Sequence, residues 1–112
     1  MTLARCLFIL LFSVVLFSGN LQGQNARVRQ KISKITQEIA NAPDNAEKVV
    51  TLHRASRELF KIAPKKALTF AKEAVDLANR YQKNQGLAYT TLGSRYINLS
   101  QYPNAIRAFE RA

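Results

Sequence analysis

Apolar residues recur along this chain in steps of three and four rather than two, and the pattern predicts helices for nearly everything after residue 24. Val28, Ile32, Ile35 and Ile39 share one helix face, with Arg29, Lys31, Lys34 and Glu38 between them on the solvated sides. Asn41-Ala42-Pro43-Asp44 ends that helix, because Pro43 has no N–H and disfavours helical backbone at Ala42. Asp44 and Glu47 have the spacing of a capping box and open a second helix that runs to about Ala63. Its apolar positions, Val49, Leu52, Ala55, Leu59, Phe60 and Ile62, cover more than one stripe, as expected of a helix touched on two sides. Pro64 suits the first turn of a third helix, whose inner face is Ala67, Leu68, Ala71, Ala74, Val75 and Ala78. So many alanines let neighbouring helix axes come close. Lys83-Asn84-Gln85-Gly86 interrupts the pattern, and Leu87, Tyr89, Leu92, Gly93, Tyr96, Ile97 and Leu99 mark a fourth helix. After a turn at Ser100 to Pro103, a fifth carries Ala105, Ile106, Phe109 and Ala112. The predicted helices are 26–41, 45–62, 65–82, 86–99 and 103–112, an all-α fold.

The segment before them is of a different kind. Arg5 is followed by an apolar run, Leu7 to Phe17, interrupted only by Ser13, and then by Ser18, Gly19 and Asn20. A charged start, a short apolar stretch and a small-residue exit make a secretory signal peptide of residues 1–23. Cleavage is expected after Gly23, with Gly19 as the second choice. The run has 11 residues, whereas a helix needs about 20 to cross a bilayer core. Arg27, Arg29, Lys31 and Lys34 follow closely, a flank that works against export. The expected localisation is the periplasm or cell surface.

A shift of 38 residues lays Ala55-Ser56-Arg57 on Gly93-Ser94-Arg95, Ala67 on Ala105, Leu68 on Ile106 and Ala74 on Ala112. Residues 45–85 and 86–112 thus read as two copies of one helix pair, preceded by an amphipathic helix in 24–44 that is a degenerate copy or a cap. Within the second copy, Tyr89-x-x-Leu92-Gly93-x-x-Tyr96 is followed by Tyr102 and by Ala105-x-x-x-Phe109-x-x-Ala112. This pattern resembles the tetratricopeptide repeat, with Tyr89 in place of the tryptophan. The first copy is a weaker match: Glu58 replaces an aromatic and Ala71 a phenylalanine, although Ala67 and Ala74 agree. The offset also exceeds the family's usual period of about 34 by one helical turn.

The resemblance implies antiparallel helix pairs stacked as an α-α superhelix, a solenoid of the tetratricopeptide type. Tyr89, Leu92, Gly93, Tyr96, Ala105, Phe109, Ala112, Ala67 and Ala74 would then be packing positions, with Gly93 facing the partner helix near Ala105 where the two cross. It further implies a concave surface, lined by the first helix of each pair, that receives a protein or peptide. On that surface it points to Leu87, Thr90, Ser94, Ile97 and Asn98. Arg57 and Arg95, one repeat apart, add positive charge for acidic side chains. The layout is similar to exported bacterial repeat proteins in which the repeats precede a histidine kinase or regulator module. Because such repeats need about three units to bury their faces, further repeats in cis or self-association are expected.

Charge and chemistry change this picture little. The net charge is +10, or near +9 without the signal segment, where sixteen Lys/Arg face seven Asp/Glu. The alternative function is therefore a basic surface binder of anionic membrane or nucleic acid. The charges are dispersed and the aromatics sit at packing positions, so nucleic acid is not an expected partner. The lone cysteine, Cys6, lies in the signal segment, leaving no disulfide framework. His53 has no second metal-ligand residue near it in sequence and reads as solvent-facing. Glu73 and Asp76 read as solvated charges, and no phosphate loop or nucleophile motif is present. No metal, cofactor or catalytic residue is expected within these residues.

Overall fold

The structure is a computed structural model that describes residues 25–112. The predicted signal segment and both expected cleavage points lie outside the described residues. Five helices follow one another: α1 over residues 25–41, α2 Lys48–Leu59, α3 Pro64–Tyr81, α4 Gln85–Asn98 and α5 Tyr102–Arg111. There is no strand among the described residues. Residues 34–112 form one compact unit, to whose core α1 contributes Ile35 and Ile39; residues 25–33 belong to a separate unit.

Three local features explain the boundaries. Helix α2 starts three residues later than the D-x-x-E spacing predicts, because that capping box does not form. Asn45 takes the role instead, its Oδ1 accepting from the backbone N–H groups of Glu47 at 3.0 Å and Lys48 at 3.2 Å. The Asp44 carboxylate turns to Arg80 of α3 at 3.4 Å, while the Tyr81 hydroxyl donates to the Asp44 carbonyl at 2.8 Å. Helix α2 ends at Leu59, whose carbonyl accepts from Ala63 at 2.7 Å, and Ala63 is extended (φ −147°) as a residue before proline should be. Pro64 then opens α3 as expected. The turns after α3 and α4 need left-handed backbone, supplied at Gln82, Asn84 and Ser100.

Helix α2 packs on α3, α3 on α4, α4 on α5, and α2 also reaches α4. Hydrogen bonds fix the directions. The end of α2 meets the start of α3 through Ser56 Oγ donating to the Ala67 carbonyl at 2.8 Å, while Tyr81 at the far end of α3 returns to Asp44. Helices α2 and α3 are therefore antiparallel. From α2 to α4, His53 meets Thr91 and Ser56 meets Arg95, so the numbering rises together and these two helices run parallel.

The core of α3 is wider than its alanine stripe. Phe70 and Leu77 are buried along with Ala67, Ala71, Ala74, Val75 and Ala78, because α3 is covered by both α2 and α4. Gly93 marks a close approach to α5, the expected partner helix, and meets it at Phe109, one turn from Ala105. A Cβ at Gly93 would lie 2.6 Å from the Phe109 ring, so this ring, rather than Ala105, occupies the space a side chain would need. Ala105 and Ala108 are buried, whereas Tyr102, Ile106, Phe109 and Ala112 are exposed.

Candidate functional site

The parallel pair α2 and α4 carries all the residues singled out for partner binding. Its register rests on three hydrogen bonds between residues 38 or 39 positions apart. Asn84 Nδ2 donates to the Ala46 carbonyl at 3.4 Å, His53 Nδ1 lies 2.6 Å from Thr91 Oγ1, and Arg95 Nη1 donates to the Ser56 carbonyl at 2.8 Å. Each residue thus sits beside its own counterpart under the 38-residue shift, or one place from it.

The His53–Thr91 contact fixes a tautomer. Thr91 Oγ1 donates its one proton to the Leu87 carbonyl, 2.8 Å away, and a carbonyl can only accept. With that proton donated to the carbonyl, the hydroxyl accepts from His53, the tautomer in which Nδ1 carries the proton and Nε2 the lone pair. His53 is half-buried and bonded across the helices, not simply solvent-facing as the sequence reading has it. Burial, reinforced by Arg57, Arg95 and Arg54, holds its pKa below the ordinary 6.5.

Arg95 also departs from expectation. It retains only 7% exposure, with its guanidinium stacked over the Phe60 ring, 4.5 Å from the centroid. Its Nε is buried without a partner, and burial followed by the nearby Arg57 lowers its pKa. Its counterpart Arg57 is exposed and has no hydrogen bond or ion pair among the described residues. The two arginines that look equivalent in sequence are therefore different in kind: Arg95 is held between α2 and α4, and Arg57 is free to reach outward.

Both line a depression of about 160 Å³ with His53, Thr90, Thr91 and Ser94. A second hollow, of about 400 Å³, shares His53 and Arg57 and continues along α2 past Val50, Arg54, Glu58 and Phe60. Of the proposed contact residues, Thr90, Ser94, Arg57 and Arg95 come together here. Leu87 is half-buried, and Ile97 and Asn98 are exposed, outside both hollows. His53, Thr91 and Ser56 were not selected by sequence reasoning. Their signal was present in the 38-residue shift, since the shift that aligns Ser56 with Ser94 also aligns His53 with Thr91.

On the other side of α4, Tyr89, Leu92 and Tyr96 border a hollow of about 240 Å³ against α5. Asn79 donates to the Tyr89 hydroxyl at 3.0 Å and, with Arg111, draws its pKa below the usual phenol value. The packing positions Tyr89, Leu92 and Tyr96 are half-buried, while Ala67, Ala74 and Ala105 are fully enclosed.

Among the described residues no cluster of three or more His, Cys, Asp or Glu side chains is placed to hold a metal ion, and no helix is long and apolar enough to cross a membrane. Comparison of the chain with family models, with curated proteins and with solved structures finds no match in any of the three.

Proposed function

We propose that this chain is a non-catalytic protein-interaction scaffold of the tetratricopeptide type, and that the α2/α4 face is where an extended peptide or partner segment docks. The observation that carries the reading is the α2-to-α4 register. Hydrogen bonds at offsets of 38, 38 and 39 residues are what stacked copies of one helix pair would make. Small residues support it where helices approach: Ala67, Ala71 and Ala74 on α3, and Gly93 against Phe109. In this reading α2 and α4 are the first helices of successive pairs, α3 and α5 the second, and the hollows along α2 and α4 lie on the concave side.

Export is part of the proposal and rests on the three-part pattern of residues 1–23. Mass spectrometry of the chain secreted from a bacterial host is expected to show a start at Gln24, or at Asn20. Recovery of intact Met1 only on cytoplasmic protein contradicts it. The layout further favours a sensory or regulatory role, in which the scaffold is the exported interaction portion of a larger protein.

The function is tested by screening the full chain against an array of extended peptides and mapping the bound state by NMR. Binding is expected to move Thr90, Ser94 and Arg57 signals and to leave the exposed side of α3, such as Lys72 and Asp76, unchanged. Binding confined to α3 contradicts the proposal. The net charge of +10 favours a second reading, a binder of anionic surfaces. That reading expects association with anionic vesicles or DNA that falls steeply with salt and is insensitive to single changes on α2 or α4.

A further inference from the structure

The hollow between α2 and α4 holds two guanidinium groups and no counter-charge: the fold uses Arg95 to bond the Ser56 carbonyl and cover Phe60, and leaves Arg57 without a partner among the described residues. Its charged lining is Arg57 and Arg95, with His53 beside them. The charges that bear on His53 are Arg57, Arg95 and Arg54, all of one sign; no acid lines this hollow, and Glu58 lines the adjoining one. Concentrating like charge costs stability, and burying Arg95 with an unpartnered Nε costs more. A stacking interface accounts for Arg95, which bonds the Ser56 carbonyl, but not for the second, unpartnered guanidinium of Arg57 beside it.

The donors are also set up asymmetrically. Ser94 and Thr91 have committed their hydroxyl protons to the carbonyls of Thr90 and Leu87, at 2.9 and 2.8 Å. Arg95 is fixed by the Ser56 carbonyl and Phe60. Arg57 and the exposed Thr90 hydroxyl remain available to a ligand. A guanidinium fork presents paired N–H donors that match a planar carboxylate.

We infer that this hollow is an anion site that takes the side-chain carboxylate of an acidic, extended peptide, gripped by Arg57 and held in the field of the immobilised Arg95. The inference rests on the reading of α2 and α4 as the peptide-docking face and adds the chemistry of what docks. A small volume of about 160 Å³ suits one side chain at a time. The neighbouring hollow, which shares Arg57, leads the peptide along α2 toward Arg54 and Val50. When the carboxylate arrives it offsets the arginine charges around His53, so binding raises the histidine pKa.

The experiment measures the affinity of the full chain for a short alternating Glu-Ala peptide, its Gln-Ala counterpart and a short DNA oligonucleotide, by fluorescence anisotropy at physiological salt. The histidine titration is followed by NMR with and without the Glu-Ala peptide. The Glu-Ala peptide is expected to bind more tightly than the other two and to raise the His53 pKa. Arg57→Ala should weaken it about tenfold, corresponding to about 1.4 kcal/mol. Lys72→Ala, the same charge change on the exposed side of α3, should alter it by less than about twofold. Equal losses in the two variants, or an unmoved His53 titration, overturn the site as diffuse attraction to a basic protein. Tighter binding of DNA, lost with Arg57→Ala, overturns it in favour of a phosphate backbone. If the Gln-Ala peptide binds as well as Glu-Ala, the anion site falls while the docking face stands. If neither peptide binds, both fall.

Discussion

Arg95 reaches back 39 residues to donate a hydrogen bond to the backbone carbonyl of Ser56, 2.8 Å away, while the Ser56 hydroxyl donates to Ala67 at the same distance. Ser56 is wholly buried, so one small residue of α2 ties together α2, α3 and α4. Removing the Arg95 donor leaves a buried carbonyl without that partner and strips the cover from Phe60. Arg95→Ala is expected to destabilise the chain by about 1–3 kcal/mol in urea unfolding. Arg95→Met retains the packing stem and sheds the desolvated charge, so its loss should be smaller. Equal losses in the two variants would show that the lost hydrogen bond to Ser56, not the packing, sets the cost.

Gly93 and Phe109 form the second coupled pair. Gly93→Leu should cost about 1–3 kcal/mol by overpacking, since even a Cβ would meet the ring at 2.6 Å. The ring is 38% exposed and has room to leave, so Phe109→Ala in the same chain should recover part of the loss. A double-mutant cycle by thermal or urea unfolding measures the coupling. Strict additivity of the two changes would place the strain elsewhere.

Ser100 adopts left-handed backbone (φ 59°) in the turn between α4 and α5. A Cβ is disfavoured there and glycine is not. Ser100→Gly is therefore expected to raise stability by about 0.5–1 kcal/mol. A loss of stability would mean that the turn relaxes out of the left-handed region.

His53 makes stability depend on pH with a definite sign. Its folded pKa lies below the ordinary 6.5, so between the two values the unfolded chain binds more protons than the folded one. The contribution is fully present above the unfolded value and is lost as pH falls through the window between 6.5 and the lowered folded value. Unfolding midpoints of His53→Gln should vary less across this window than those of the unaltered chain. Parallel profiles would show that other groups dominate.

The all-α fold was legible because burial here follows helical spacing. Pro64 and the breaks near Pro43 and Gly86 set the helix limits to within a few residues. Local cap chemistry was less so. Asp44 and Glu47 have the spacing of a capping box, yet the Asp44 carboxylate is drawn to Arg80 of α3, and Asn45 caps instead. That competition depends on a contact 36 residues away, which periodicity does not encode. Gly93 was identifiable as a close approach, but the residue it faces depends on the pitch between α4 and α5. Arg57 and Arg95 illustrate the same limit at the site. The 38-residue shift aligns them, while only packing against Phe60 and Ser56 makes one a buried strut and leaves the other exposed.

The central claim is that α2 and α4 lie side by side in parallel, in a register of 38 residues. Nuclear Overhauser spectroscopy on the full chain reads this register directly. Cross-peaks are predicted between the His53 imidazole and the Thr91 side chain, and between the Phe60 ring and the end of the Arg95 side chain, 4.5 Å from its centroid. Cross-peaks that join α2 to α4 in another register, or none between these helices in a folded chain, would contradict the account.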